Sequence, residues 1–324
     1  MRIALPPTID AAAFGARDPS AVVLDLHGET MGTSWSVRFA APAGTDPSSI
    51  HAAITARLAG LVAEMSHWAQ NSLLYRFNRS PSGTWTTLPP DFAHVMTRGL
   101  AIAEITGGAF DPTIGRLVDA WGFGPVPVAC PPSAAEIETA RATSGWSRLS
   151  FAPTGAHLRQ PGGTALDLSG IAKGHAVDAI ADLLHDAGIA NALVEIGGEL
   201  VGRGIKPDGD PWWVDLESPP GLTLLPLRIA LHGQAVATSG DYRRGAHTLD
   251  PRTGRPIDTG VVSASVIHET ALDADAWATA LTVLGSVEGV DLARANGIAA
   301  RLVTEIDGTV REYLTPALAA MLAD

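Results

Sequence analysis

The stretch LDLSGIAKGHAVDAIADLLHDAGIANALVEIGGEL, from Leu166 to Leu200, decides the fold more than any other part of the chain. From Ala172 onward its apolar residues recur at helical spacing, which predicts an amphipathic helix that Gly188 ends. Residues 192–196 are apolar and form a run of strand length, so they predict a short buried strand that Gly197–Gly198 breaks.

Side chains with useful chemistry cluster just before this helix. A short apolar run, predicted to be a strand, ends at Asp167, and Ser169 and Gly170 supply a tight turn. Lys173 follows in the first turn of the helix. Free N–H groups and the helix dipole favour an anion at such a point, and the carboxylate suggests a bridging metal. The alternative is structural: Ser169 caps the helix and Lys173 is solvated.

Composition limits the class of protein. A chain of 324 residues can bury a large core, and no run approaches the roughly 18 apolar residues of a membrane span. The net charge of −12 argues against nucleic acid or an anionic membrane as a partner. Cys130 is the only cysteine, so disulfides are excluded. The sequence starts with neither a signal peptide nor a cysteine for a lipid anchor, so we expect a cytoplasmic location.

Helix and strand patterns are mixed along the chain without strict alternation, which favours an α+β fold of mixed or antiparallel sheets packed with helices. We expect a loosely attached arm at residues 1–20 and a single catalytic domain at residues 21–324. Helices are predicted at 48–68, 91–105, 131–144, 273–284 and 287–295. Strands are predicted at 21–26, 31–39, 261–267, 299–304 and 309–313, with three more at 212–216, 225–231 and 235–238 in one sheet.

The segment GAFDPTIGRLVDAWGFGP, from Gly108 to Pro125, is rich in glycine and aromatic residues. Asp111–Pro112 favours a turn, and we expect little regular structure in the segment. Trp121 and Phe123 are predicted to anchor it. A loop of this length is either functional or poorly ordered.

Asp275 and Thr279 are four residues apart on a predicted helix, so their side chains lie on the same face. A carboxylate and a hydroxyl in that arrangement form the hard oxygen site that Mg²⁺ prefers, with phosphate and water oxygens completing the shell. The alternative is that Asp273 and Asp275 merely complement the dipole at the helix N-terminus.

His247 precedes the turn-like segment LDPRTG. A histidine near neutral pH can act as a general base toward a hydroxyl. This one is among ten histidines, however, and a lone histidine is more often structural or solvated. Arg243 and Arg244 either pair with phosphate or are surface charges. The chain has no P-loop, HExxH motif or nucleophile elbow, and EIGGEL at residues 195–200 is too weak to indicate dinucleotide binding.

Taken together, long segments of the chain resemble the FAD:protein FMN transferases of the ApbE type. The likeness runs from Met31 over nearly all of the remaining chain, and the segments occur in the same order. They are MGTSWSV, MSHWAQNSLLYRFN, GGAFDPTIGRLVDAWGFGP, LDLSGIAKGHAVD, EIGGEL, VATSGDYRR, HTLDPRTGRP and ADAWATALTVLG.

The resemblance implies an enzyme that binds FAD, uses Mg²⁺ and moves FMN onto a Thr or Ser hydroxyl in the flavinylation motif of an acceptor flavoprotein, releasing AMP. It implies an ApbE-like, T-fold-like architecture of two intertwined subdomains. His247 matches the position proposed as the base, and Mg²⁺ would be held by the Gly170 carbonyl with Asp275 and Thr279. The residues implied to contact FAD are Met31, Trp68, Ala109, Phe110, Asp111, Asp167, Lys173 and Leu249.

The chain departs from the family pattern in three places. Trp68 stands where members often have Tyr, which keeps an aromatic face, and Ala278 stands where some have a second acid, so we expect one more water on the metal. Many members are exported lipoproteins, and this sequence lacks the N-terminal signal and cysteine of such proteins. Either its targets are cytoplasmic or the given sequence omits an export segment.

An FAD pyrophosphatase giving FMN and AMP remains an alternative. So does a non-catalytic flavin-binding protein, although His247, Asp275 and Thr279 together count against it.

Overall fold

The structure is a computed structural model that describes residues 1–9, 11–15, 17–241, 245 and 247–322. Its helices are α1 (Ala11–Gly15), α2 (Ser48–Met65), α3 (Leu73–Arg79), α4 (Pro90–Ile105), α5 (Gly115–Ala120), α6 (Ala134–Thr143), α7 (Ala172–Asp186), α8 (Ala271–Ala295) and α9 (Pro316–Ala319). Its strands are β1 (Arg2–Ala4), β2 (Val22–Thr30), β3 (Thr33–Ala41), β4 (Trp85–Thr87), β5 (Ser150–Ala152), β6 (His157–Arg159), β7 (Ala192–Ile196), β8 (Glu199–Arg203), β9 (Trp212–Asp215), β10 (Leu227–Leu231), β11 (Gln234–Ser239), β12 (Leu249–Asp250), β13 (Arg255–Pro256), β14 (Val261–His268), β15 (Ala299–Ile306) and β16 (Thr309–Leu314).

The described residues form an antiparallel sheet of eight strands in the order β16-β15-β14-β11-β8-β7-β3-β2. One face packs against α2, α7 and α8, with α4 packed on α2 and α8, and this layer holds the largest buried apolar cluster. The other face packs against α9 and the smaller sheet β1-β10-β9 around Trp212 and Ile229. The predicted α+β fold of mixed or antiparallel sheets packed with helices is confirmed. No helix in the described ranges is long and apolar enough to cross a membrane.

The stretch around α7 folds largely as its sequence predicts. Ala176, Ile180 and Leu184 are buried on one face of the helix. Gly188 has a φ of 84°, and the N–H of Ile189 donates to the carbonyl of Leu184, which is the usual glycine-terminated end of a helix. The Gly197–Gly198 turn then connects β7 to β8, with φ values of 64° and 104° that favour glycine.

The N-terminal part of α7 lies against the start of α8. A Cβ atom on Gly174 would lie 2.1 Å from the carbonyl oxygen of Ala271, so only glycine allows this approach. One turn later, the carboxylate of Asp178 accepts the N–H groups of Ala271 and Leu272, both at 2.9 Å. Asp178 therefore satisfies two of the donors that the first turn of α8 leaves open.

We expect Gly174→Ala to lower the free energy of unfolding by about 3 kcal/mol, because the obstructing atom belongs to the backbone of α8 and cannot rotate away. The matched control is Gly60→Ala in α2, where a new Cβ has no neighbour within 4 Å; that change should stabilise the protein by up to about 1 kcal/mol. Urea unfolding of both variants measures the difference. If the two variants had the same free energy of unfolding, the close approach of α7 to α8 at Gly174 would contribute nothing to stability.

Several predictions at the edges of the fold are wrong. Residues 1–20 are not a loose arm throughout, because β1 pairs in parallel with β10 and Ala4 is fully buried. Strands β9 and β10 do not share a sheet with β11; they pair with β1 in the smaller sheet. The apolar run before Asp167 forms only an isolated bridge, from Ala165 to Ile114, because its neighbour is a loop and not a strand.

Three further elements differ in detail from prediction. The glycine-rich segment at 108–125 contains α5, although Trp121 anchors it as predicted by donating to the carbonyl of Gly254 at 2.9 Å. Met31 lies in the turn between β2 and β3, with a φ of 50°, and not in a strand. The two helices predicted at 273–295 are the two parts of α8, separated at Gly285, where the backbone is not helical.

Candidate active site

Several of the segments that carry candidate residues meet at one end of the eight-stranded sheet. The turn at Met31 between β2 and β3 lies beside the turn between β7 and β8, where the N–H of Gly197 donates to the carbonyl of Ser34 at 3.1 Å. Strand β11 ends at the same place, because Val236 lies opposite Leu200 and the two strands run antiparallel.

The three residues expected to hold a metal lie close together. A Cβ atom on Gly170 would lie 2.9 Å from Oγ1 of Thr279, so the loop before α7 packs directly on that hydroxyl. Asp275 is buried one turn earlier on α8, and its Oδ2 accepts the N–H of Gly174 at 3.1 Å. The hydroxyl of Ser239, at the end of β11, lies 3.4 Å from that of Thr279.

This arrangement fits a magnesium ion. It combines a buried carboxylate, a hydroxyl and a main-chain segment, which are the oxygen donors that Mg²⁺ prefers. Burial raises the pKa of Asp275, so its negative charge is costly without a cation. The described residues contain no group of three or more His, Cys, Asp or Glu side chains placed to hold a metal, so the fit depends on the mixed set of oxygen donors.

Lys173 is not solvated, so the structural alternative for this turn is wrong. Its Nζ forms an ion pair with Glu199 and lies 4.0 Å from Oδ1 of Asp275. Burial raises the pKa of Glu199 to about 7, against the opposing effect of the Lys173 ammonium. Ser169 does not cap α7; its hydroxyl donates to Asp167 at 2.5 Å, and the helix starts without a side-chain cap.

An exposed aromatic ring lies near the buried carboxylate of Asp167. One oxygen of Asp167 accepts the N–H and hydroxyl of Ser169, and the other lies 3.7 Å from Nδ1 of His67. The neighbouring Trp68 is 59% exposed, with its ring centroid 5.4 Å from that of His67. An open aromatic face beside a buried polar group is typical of a site for a planar ring.

The loop that follows α4 forms another side of the candidate site. Phe110 is buried, and its ring lies 3.5 Å from the Cβ position of Gly170. Asp111 is also buried, and it accepts the N–H and hydroxyl of Thr113 at 2.8 and 2.6 Å and the N–H of Trp146 at 3.0 Å. Burial raises the pKa of Asp111 against these hydrogen bonds. The carboxylate therefore holds this loop in shape.

Two further residues implied to contact FAD, Ala109 and Leu249, also have buried side chains. Ala109 is 1% exposed, next to Val283 and Leu284 of α8. Leu249 on β12 is 4% exposed and belongs to a separate cluster. That cluster also contains Leu117, Ile137 and Ala140.

His247 is held by a carboxylate. Its Nδ1 lies 3.1 Å from Oδ1 of Asp241 and 2.9 Å from the carbonyl oxygen of Gly245. Burial alone would raise the pKa of Asp241, but hydrogen bonds from His247 and Thr248 outweigh it, and the pKa is lowered. An ionised carboxylate on one ring nitrogen orients the imidazole and places a proton on Nδ1, which leaves Nε2 as the basic nitrogen.

Sequence reasoning missed Asp241 and Glu199. Both lie in segments that carry the family resemblance, VATSGDYRR and EIGGEL, but a sequence motif does not show which distant side chain its acid approaches. Arg243 and Arg244, considered as phosphate partners, lie outside the described residues.

Comparisons with known proteins agree with one another. The model of the ApbE family matches residues 31–302. The FAD:protein FMN transferase of Vibrio cholerae serotype O1 is 35% identical over 311 residues, covering 92% of each chain, and that of Escherichia coli K12 is 32% identical over 321 residues, covering 95% of this chain and 91% of the relative. The crystal structure of the Pseudomonas stutzeri flavinyl transferase ApbE, in its apo form, matches with a TM-score of 0.87 at 35% identity, over 93% of this chain and 97% of that one.

Proposed function

The chain belongs to the ApbE family, and from this premise we propose how it works. It transfers FMN from FAD to a target protein. The acceptor is a Thr or Ser hydroxyl in the flavinylation motif of a flavoprotein, AMP is released, and Mg²⁺ is required. The observation that carries this proposal is the 3.4 Å approach of the hydroxyls of Ser239 and Thr279. Ser239 lies two residues before Asp241, so the segment that bears the Asp241–His247 pair reaches the oxygen donors around Asp275.

FAD binds along the surface between these two groups. Trp68 offers its exposed face to a ring of FAD, and Lys173 provides positive charge for the pyrophosphate. Asp167 offers a buried carboxylate to hydrogen-bond donors of FAD. The other contacts proposed from the family likeness are Met31, Ala109, Phe110, Asp111 and Leu249.

Asp275, Thr279 and the Gly170 carbonyl would hold Mg²⁺. When bound, the ion offsets the pyrophosphate charge that an acidic protein repels, and it polarises the phosphorus that is attacked. The burial of Asp275 supports this assignment, because the raised pKa reflects a negative charge that a cation would stabilise.

His247 acts as the general base. It takes the proton of the acceptor hydroxyl on Nε2, and the hydroxyl oxygen forms a bond to the phosphorus on the FMN side of the pyrophosphate. The bond from that phosphorus to the bridging oxygen breaks, and AMP leaves with the electron pair. Asp241 stabilises the imidazolium that forms, as the acid does in other carboxylate–histidine pairs.

The test is to incubate the protein with FAD, Mg²⁺ and a purified flavoprotein acceptor, and then to measure the intact mass of the acceptor. We expect a mass gain equal to bound FMN that EDTA prevents and that is lost when the acceptor hydroxyl is replaced. Metal-dependent release of FMN and AMP without a gain in mass would instead identify an FAD pyrophosphatase. FAD binding with neither product would identify a flavin-binding protein.

We expect Trp68→Ala to raise the dissociation constant for FAD about tenfold, because stacking on an aromatic face contributes about 1–3 kcal/mol. Trp68→Phe should recover most of the affinity. The matched control is Trp85→Ala, which removes an equally exposed tryptophan, 53% against 59%, on β4 in a small separate sheet. Equilibrium dialysis with FAD measures all three. If Trp68→Ala and Trp85→Ala bound FAD with equal affinity, Trp68 would not be part of the FAD-binding site.

A further inference from the structure

The EIGGEL segment places an acid in the site that the family likeness does not assign. The Gly197–Gly198 turn ends β7 and starts β8 at Glu199, whose side chain is buried. Only two glycines in left-handed conformations separate the strands, and Glu199 pairs with Ile196, so it lies at the end of the sheet where the candidate site lies.

Glu199 and Asp275 share one ammonium group. Lys173 forms an ion pair with Oε1 of Glu199, and its Nζ lies 4.0 Å from Oδ1 of Asp275. The other oxygen of Glu199 is buried and has no hydrogen-bond partner among the described residues. Leaving a buried acceptor unpaired costs about 1–3 kcal/mol. A purely structural ion pair does not explain why this oxygen is buried without a donor, whereas a ligand or its bound water would supply the missing donor.

We propose that Glu199 is a positioning residue for the cation site: by holding Lys173, it keeps the ammonium 4.0 Å from Oδ1 of Asp275, beyond hydrogen-bond distance. This inference rests on the proposed function. Two carboxylates around one ammonium leave a net negative charge for a divalent cation, and Asp275 remains available to it. Without the charge of Glu199, the Lys173 ammonium would move closer, donate directly to Asp275 and compete with the cation for the same oxygen.

The test uses Glu199→Gln in the full chain, with equilibrium dialysis of FAD at increasing Mg²⁺ concentrations and no acceptor present, so that binding is measured without turnover. We expect the Mg²⁺ concentration for half-maximal FAD binding to rise at least about tenfold, the size of effect seen when a partner of a metal ligand is removed. Thermal unfolding checks that the variant is folded.

Glu195→Gln is the matched control. Glu195 lies four residues earlier on β7, and its carboxylate accepts the hydroxyl of Ser36 at 3.1 Å, away from Lys173. The same substitution there should leave the Mg²⁺ dependence unchanged. A shift as large as that of Glu199→Gln would mean that any loss of charge near this end of the sheet weakens the cation, and the specific role of Glu199 would be overturned.

A double-mutant cycle tests whether Glu199 acts through Lys173. In a Lys173→Met background no ammonium can compete for Asp275, so adding Glu199→Gln should change the half-saturating Mg²⁺ concentration less than about threefold. A tenfold change in both backgrounds would show a direct effect on the cation and overturn the positioning role. If the wild-type protein depends on Mg²⁺ and Glu199→Gln matches it, only the role of Glu199 fails; if the wild-type protein binds FAD equally well in EDTA, the metal assignment of the proposed function fails with it.

Discussion

Replacing Asp275 by Asn is expected to lower Mg²⁺-dependent FMN transfer by about a thousandfold or more. Asn keeps the shape of the side chain and an oxygen that can accept the N–H of Gly174, but it removes the charge that would hold the cation. Bound metal contributes several kcal/mol to the stabilisation of a phosphoryl transition state, and each 1.36 kcal/mol is about tenfold in rate. Transfer rates measured by acceptor mass over a range of Mg²⁺ concentrations provide the comparison.

The fold should survive this substitution. Burial raises the pKa of Asp275, which means that the folded protein without metal disfavours the charge, so a neutral side chain should not lower the free energy of unfolding. The matched control is Asp273→Asn on the same helix, which removes the negative charge from the ion pair in which Arg98 donates to Oδ1 of Asp273 at 3.0 and 2.8 Å. It should destabilise the protein by about 1 kcal/mol yet retain transfer. Full activity in Asp275→Asn would disprove the metal assignment.

The features that the sequence predicts well are those that local periodicity and glycine determine. The apolar spacing of α7, its end at Gly188 and the break of α8 at Gly285 follow from residues close together in the chain. The placing of Asp275 and Thr279 on one face follows in the same way from helical geometry. Neither inference depends on which elements pack against the helix.

Partners distant in sequence could not be predicted in this way. A short apolar run such as Arg2–Ala4 indicates a strand at most, and nothing local shows that it pairs with Leu227–Leu231. The same limit applies to β9, which pairs with β10 and not within the main sheet. Strand patterns show which face is buried, whereas the choice of partner depends on the whole fold.

In the candidate site, too, the sequence indicates individual residues but not their partners from distant parts of the chain. The family likeness points to Lys173 and His247, but the carboxylates that hold them, Glu199 and Asp241, become visible only in three dimensions. Glu199 starts β8, whereas Lys173 lies in the first turn of α7; the rest of α7, β7 and a glycine turn separate them in sequence. These two pairs of side chains, Lys173 with Glu199 and His247 with Asp241, determine the charges and protonation states of the candidate site, and the motifs alone do not show them.

Replacing His247 by Gln is expected to slow FMN transfer by about 10²–10⁴-fold, the usual contribution of a general base, while the dissociation constant for FAD changes less than about threefold. Gln cannot accept a proton from the acceptor hydroxyl, but it leaves the surfaces around Trp68 and Lys173 intact. Single-turnover transfer measured by acceptor mass, together with equilibrium dialysis of FAD, separates the two effects. Equal losses in rate and affinity would make His247 a binding residue.

Asp241→Asn provides the decisive comparison, because its effect should pass through His247. The amide can still contact Nδ1, but it no longer favours the proton there or stabilises the imidazolium, so we expect a slower transfer, by about tenfold or more, with FAD binding unchanged. If the pair acts as a unit, the double variant should be no slower than His247→Gln alone. A double variant slowed by the product of both effects would show that Asp241 acts independently of the base.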